Sequence, residues 1–187
     1  MADLKFAVFG TGWWSHFQIP AWFEVGGVEL VALYNRTVSK AEKMAERFDV
    51  PRVYGDPEEL LQKEELDFID IITEVQAHAP LVYLAAKYKV PVICQKPMGP
   101  DYGTCQKMVQ TCQEAGVPFL IHENLRWHTP IRAVKRIIGE GQIGAARYIL
   151  DATNNDAMVE SFRRELLDCA EAVSGGNGLS ARTGRGS

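Results

Sequence analysis

Apolar and polar positions follow two rhythms along this chain, and the two take turns. Lys5 to Phe9 is an apolar run that ends at Gly10-Thr11-Gly12 and passes at once into a helix-like segment from Trp13 to Glu24, whose helical reading is interrupted at Pro20. Glu29 to Tyr34 is a second apolar run. Val38 to Phe48 spaces Ala41, Met44, Ala45 and Phe48 at helical intervals with Lys and Glu between them, the pattern of an amphipathic helix. Pro51 to Tyr54 reads as a short strand, and Asp56 with Pro57 reads as an N-cap and first helical position. Leu66 to Thr73 is a strand whose apolar end suits burial on both faces of a parallel sheet. Ala77 to Lys89 and Asp101 to Ala115 are helices, each followed by a short apolar strand, at Pro91 to Cys94 and Pro118 to Ile121. Such alternation predicts an α/β fold, a doubly wound parallel sheet with right-handed crossovers.

Ligands on such sheets bind beyond the carboxyl ends of the strands. Here those ends carry Gly10 and Gly12, Asn35 and Arg36, Thr73 to His78, Gln95 to Pro97, and His122 to Arg126. The first of them has the form of a dinucleotide-binding turn. Gly10 would make the tight turn. Gly12, without a Cβ, would let the backbone approach a pyrophosphate held by the N–H groups of the next helix, with Thr11, Trp13 and Trp14 beside it. Ser15 replaces the third glycine of the usual fingerprint and is still small enough for close helix-strand packing. Asn35 falls 20 positions after Ser15 (35 − 15), where the fingerprint places the group that meets the adenosine ribose. An acid there would favour NAD. A neutral Asn35 followed by Arg36, Thr37 and Lys40 suits a 2′-phosphate instead, because arginine presents a planar fork of charged donors. NADP is therefore favoured over NAD. Around Trp13, Trp14, Phe17, Trp22 and Phe23 the aromatic side chains are expected in the core, while Ser15, His16 and Gln18 could face a ligand.

A length of 187 residues holds one full domain and a fragment of another. A net charge of -4 offers no attraction to nucleic acid or an anionic membrane, and neither is expected as a partner. With no basic-then-apolar leader and no apolar run of membrane-spanning length, a soluble cytoplasmic protein is expected. Cys94, Cys105, Cys112 and Cys169 form no Cys-x-x-Cys and have no histidine at ligand spacing, so no metal site is expected and buried free thiols are.

With Gln95-Lys96-Pro97 the residues add up to a resemblance. The glycine turn with Trp13-Trp14, Thr73 with His78 downstream, and the strand-end Lys96-Pro97 make Leu4 to about Asp151 similar to the glucose-fructose oxidoreductase and inositol dehydrogenase (Gfo/Idh/MocA) family. The resemblance implies an NAD(P)-dependent oxidoreductase acting on a sugar, cyclitol or related polyol by hydride transfer. In that family the lysine of a Glu-Lys-Pro triplet lies between nicotinamide and sugar hydroxyl, which implies Lys96 as catalytic residue; here Gln95 stands in place of the glutamate. An ammonium beside the substrate oxygen can stabilise its developing charge or relay its proton. Thr73, His78, Gln95 and Pro97 are implied around the cofactor, and His78, Glu123, Asn124 and Arg126 at the pocket mouth.

The family's second half is not matched. Residues 1–122 are expected to form the dinucleotide domain and 123–187 a truncated α+β remnant of the substrate and oligomerisation domain. That remnant would comprise an amphipathic helix from Thr129 to Gly141, a strand from Ala145 to Ala152, and a terminal helix from Ala157 to Val173. By resemblance, the central sheet with its Asp-His proton acceptor is missing between about Thr153 and Ala157, and no histidine follows His128. Two functions therefore stand side by side, an NAD(P)-dependent sugar or polyol dehydrogenase without the family's Asp-His segment and a nucleotide-binding or interaction module without turnover. The apolar faces left without their sheet predict self-association or aggregation.

Overall fold

The computed structural model describes residues 3–142, which fall into two compact units divided between Asn124 and Leu125. The first unit is a six-stranded, wholly parallel sheet. Its elements in chain order are β1 (Leu4–Phe9), α1 (Ser15–Val25), β2 (Val28–Tyr34), α2 (Val38–Phe48), β3 (Arg52–Tyr54), α3 (Pro57–Lys63), β4 (Phe68–Ile71), α4 (Val75–Lys87), β5 (Val92–Gln95), α5 (Tyr102–Ala115) and β6 (Phe119–His122). The strand order is β3-β2-β1-β4-β5-β6. This is the doubly wound fold, with the order reversing between β1 and β4.

Each side of the sheet has its own core, fed by alternate strand residues except in β2, where a bulge against β1 turns Val31 and Ala32 to one side and Leu30 and Leu33 to the other. Phe6, Val8, Leu30, Leu33 and Phe68 pack under Ile19 of α1 and Ala41 and Met44 of α2. Ala7, Phe9, Ile69, Ile71, Val92 and Cys94 pack under Leu60 of α3, Val82 and Ala85 of α4, and Met108 and Cys112 of α5. Strand β4 is buried along its whole length, which is why it reads as an apolar run. The exception within it is Asp70.

Local signals act as their chemistry requires. Asp56 accepts from the Glu58 and Glu59 N–H groups and caps α3, and Asp101 accepts from Thr104 N at 2.8 Å at the start of α5. Pro20 does not interrupt α1, which runs through it. As the sixth residue it withholds a helical N–H only from the carbonyl of His16, four residues back in the first turn, and Pro80 stands at the same position in α4. The aromatic residues in and just before α1 divide between core and surface, where the sequence predicts core for all of them. Trp22 does enter the core, against Phe6 and Phe68. Trp13 and Phe17, however, are 71% and 54% exposed, and with Trp14 they form a surface trio at ring separations of 4.8–5.9 Å. Gln18 and Ser15, in turn, are buried. One turn of helix separates the faces, and Ile19 occupies the inner one.

The second unit opens with a short 3-10 turn, Leu125–Trp127, and α6 (Thr129–Gly139), two residues shorter than the sequence predicts. None of the residues of α6 is buried. The predicted strand at Ala145 to Ala152 and helix at Ala157 to Val173 lie outside the described residues. Among the described residues no helix is long and apolar enough to cross a membrane.

Candidate functional site

The β1–α1 turn is built around Gly10. Its φ is +106°, and a Cβ there would lie 2.5 Å from the Ile72 carbonyl oxygen, so both conformation and contact exclude a side chain. Its N–H donates to Tyr34 O at 2.8 Å, and its own carbonyl accepts from Ser15 Oγ at 2.8 Å. Ser15 thus ties the start of α1 to the turn, a bond that a third glycine could not make. Gly12 is different: a Cβ there would meet nothing within 4 Å. The space beside Gly12 is open, next to the start of an eleven-residue helix with no acidic residue in its first turn. An anion fits there by sterics and by the helix dipole. Thr11 N–H donates to Asn35 Oδ1 at 3.3 Å, and Thr11 Oγ1 is buried without a hydrogen-bond partner among the described residues.

At the end of β2, Asn35 also donates from Nδ2 to Thr37 O at 2.9 Å, so its amide bridges two loops. Arg36 is exposed and lies 3.9 Å from Glu74. Glu74 stands at the N-cap position of α4 without a side-chain capping bond, directly after Thr73, whose hydroxyl donates to Glu74 O at 3.3 Å. The ends of β2 and β4 therefore bring a guanidinium and a carboxylate together at the edge of the site.

The end of β5 carries Gln95, Lys96 and Pro97, with a cis peptide between Lys96 and Pro97. Lys96 is exposed and Gln95 is buried. Gln95 Oε1 accepts from the Lys96 N–H at 3.1 Å, and Gln95 Nε2 donates to Gln18 Oε1 at 2.5 Å and lies 3.4 Å from His122 Nδ1. Gln18 Nε2 donates in turn to Asp70 Oδ2 at 2.5 Å, where Trp22 Nε1 also donates at 2.7 Å. Burial pushes the Asp70 carboxyl above the usual carboxylate range, against the pull of the Trp22 and Gln18 bonds and the nearby His122. Cys94, beside Gln95, is pushed by burial to about 12, which leaves an unreactive thiol.

His78 stands beneath this edge rather than at a pocket mouth. It is 1% exposed, with Nδ1 at 3.1 Å from Pro97 O and 3.3 Å from Met98 O, and Nε2 at 3.2 Å from Thr73 O. It braces the Thr73 loop against the Lys96–Pro97 turn, so its influence on a ligand runs through those two backbone segments. Glu123 and Asn124 follow β6 and are half-buried, and Asn124 Oδ1 is buried without a partner among the described residues. Arg126 belongs to the second unit. Asp70, Gln18 and Trp22 are not singled out by the sequence as a cluster. A carboxylate in the middle of an apolar strand is the signal that marks them.

A model of the GFO_IDH_MocA family, an oxidoreductase family with an NAD-binding Rossmann fold, matches residues 4–123. D-apiose dehydrogenase of Rhizobium rhizogenes is 41% identical over 144 residues, 77% of this chain and 42% of the relative. The enzyme of the same name from Paraburkholderia graminis is 39% identical over 140 residues, 75% of this chain and 37% of its own length. Among solved structures, an oxidoreductase from Agrobacterium radiobacter in complex with NAD+, L-tartaric acid and magnesium superposes with a TM-score of 0.74 at 40% identity, over 76% of this chain and 42% of that one. The chain thus spans about two fifths of the length of these relatives.

Proposed function

We propose, from the premise that this chain belongs to the GFO_IDH_MocA family of oxidoreductases with an NAD-binding Rossmann fold, that it binds a nicotinamide dinucleotide across the ends of β1, β2, β4 and β5. The observation that carries this is the β1–α1 turn, where Gly10 is fixed against the Ile72 carbonyl while the side of Gly12 stays open. The pyrophosphate would lie on Gly12 and the first N–H groups of α1, and Trp13 and Trp14 would flank it. Arg36 would face the adenosine ribose. Its exposed pair with Glu74, at 3.9 Å, is of a kind worth under about 1 kcal/mol. A 2′-phosphate gripped by the guanidinium would contribute roughly 1.5–3 kcal/mol. The exchange of Glu74 for phosphate is therefore favourable, and NADP is the preferred cofactor.

The dinucleotide supplies the hydride acceptor or donor. Within this chain Lys96 would place its ammonium on the substrate oxygen of a sugar, cyclitol or related polyol and stabilise the charge that develops as the carbinol is oxidised. Glu123 and Asn124, on the same strand-end edge, would contact substrate hydroxyls. His78 has both ring nitrogens against backbone carbonyls, and His122 has Nδ1 3.4 Å from the Gln95 amide nitrogen, so neither would be a free proton acceptor.

Assay of the purified chain with NADP and NAD across a panel of aldoses, cyclitols and polyols tests the reading. Turnover lost in Lys96→Ala, with cofactor binding retained, supports the dehydrogenase. Dinucleotide binding with no turnover on any substrate assigns the chain instead to the second reading, a nucleotide-binding module.

A further inference from the structure

Four polar side chains beneath the site make one directed chain of hydrogen bonds. Its direction follows from donor and acceptor chemistry with Asp70 as the carboxylate. The indole N–H of Trp22 can only donate, so Asp70 Oδ2, 2.7 Å away, is an acceptor. Gln18 must then turn its NH2 towards the same oxygen and its carbonyl towards Gln95. Gln95 must in turn give its NH2 to Gln18, which leaves its carbonyl for the Lys96 N–H and its remaining amide proton for His122 Nδ1. With Asp70 as the carboxylate, no amide in the chain has a second choice. In the sheet, Asp70 is flanked in register by Val8 and Ile93, neither of which can titrate or hydrogen-bond through its side chain. The charged or titratable groups that act on Asp70, or that it acts on, are His122 and Cys94.

We propose that Asp70 is a positioning residue, whose buried carboxylate orders Gln18 and Gln95 so that the Lys96 backbone is held in place and His122 is kept with its Nδ1 lone pair facing an amide donor. Position 95 is then an amide by necessity. A carboxylate there would set its oxygen against the Gln18 carbonyl, which Asp70 prevents from turning away. The consequence for turnover rests on Lys96 acting on the substrate oxygen, but the ordering of the bonds does not, and it is measured without cofactor or substrate.

The experiment uses the whole chain as wild type, Gln95→Glu, Asp70→Leu and the double variant, with urea unfolding and nitrogen NMR of labelled histidine at one pH near 7.5. Gln95→Glu is expected to lower the folding constant at least about tenfold more when Asp70 is present than in the Asp70→Leu background, where Gln18 is free to turn its NH2 to the new carboxylate. In Gln95→Glu the His122 proton is expected to move from Nε2 to Nδ1, where it can donate to that carboxylate, a shift that general loosening of the core would not produce. Equal costs in the two backgrounds, or a His122 spectrum unchanged by Gln95→Glu, would each overturn the proposal. Should Asp70→Leu not fold, Gln18→Leu removes the opposing carbonyl directly and must relieve the same cost.

Discussion

Substituting the two glycines of the β1–α1 turn should have opposite effects. At Gly10 an alanine must take φ near +106° and place its Cβ 2.5 Å from Ile72 O and 2.8 Å from Ile72 C. The conformation alone costs about 1–3 kcal/mol for a residue with a Cβ. The contact is with backbone in the centre of the sheet, where Ile72 N–H is bonded to Phe9 O at 2.7 Å, so relief requires β1 and β4 to part, at a further 1–3 kcal/mol or so. Gly10→Ala should therefore lose roughly 2–6 kcal/mol, against a total of about 5–15 for a domain. At Gly12 the same Cβ meets nothing within 4 Å, and Gly12→Val should leave folding within about 1 kcal/mol of wild type while it fills the space a pyrophosphate needs. Urea unfolding with an unchanged slope, together with dinucleotide titration of each variant, measures both effects. A Gly10→Ala protein as stable as wild type would refute the steric argument. A folded Gly12→Val protein with undiminished dinucleotide affinity would refute the placement of the pyrophosphate.

Three further outcomes are expected. Arg36→Ala should weaken NADP by about tenfold to a hundredfold and NAD far less, since only NADP offers the guanidinium a phosphate; equal losses in a binding titration would remove Arg36 as discriminator. Glu64 accepts from Arg52 at 2.5 and 2.7 Å and from Tyr54 at 2.6 Å; burial pushes its carboxyl up, but these bonds more than offset that and hold it below the usual range. A depressed folded-state pKa gives stability that is present above the ordinary carboxylate value and lost as pH falls through the folded one; wild type should therefore exceed Glu64→Gln by about 1 kcal/mol at neutral pH, and a gap that persists undiminished in strong acid would contradict it. The exposed apolar residues Ile131 and Val134 of α6 should drive self-association at roughly 25 cal/mol per Å² buried, and light scattering from a monodisperse monomer would refute that.

Much of the nucleotide unit is legible in the sequence because its determinants are local. Apolar runs mark strands buried on both faces, Asp56-Pro57 marks a helix start, and Gly10-Thr11-Gly12 marks the turn. What escapes is what depends on partners far along the chain. Whether Trp13 or Trp22 points inward depends on a rotation of α1 that its nearly all-round apolar composition does not specify. The bond between Gln18 and Gln95 joins residues 77 apart, and that between Gln18 and Asp70 joins residues 52 apart. No spacing rule connects them. His78 was legible as a histidine near a strand end, but its burial against three backbone carbonyls follows from the path of the Lys96–Pro97 turn, which no local pattern encodes.

Calorimetric titration of the purified 187-residue protein with NADP and NAD tests whether this chain holds a nicotinamide dinucleotide at the carboxyl edge of its sheet. Saturable binding of one dinucleotide per chain, tighter for NADP, is the predicted result. A folded protein that takes up neither would contradict it.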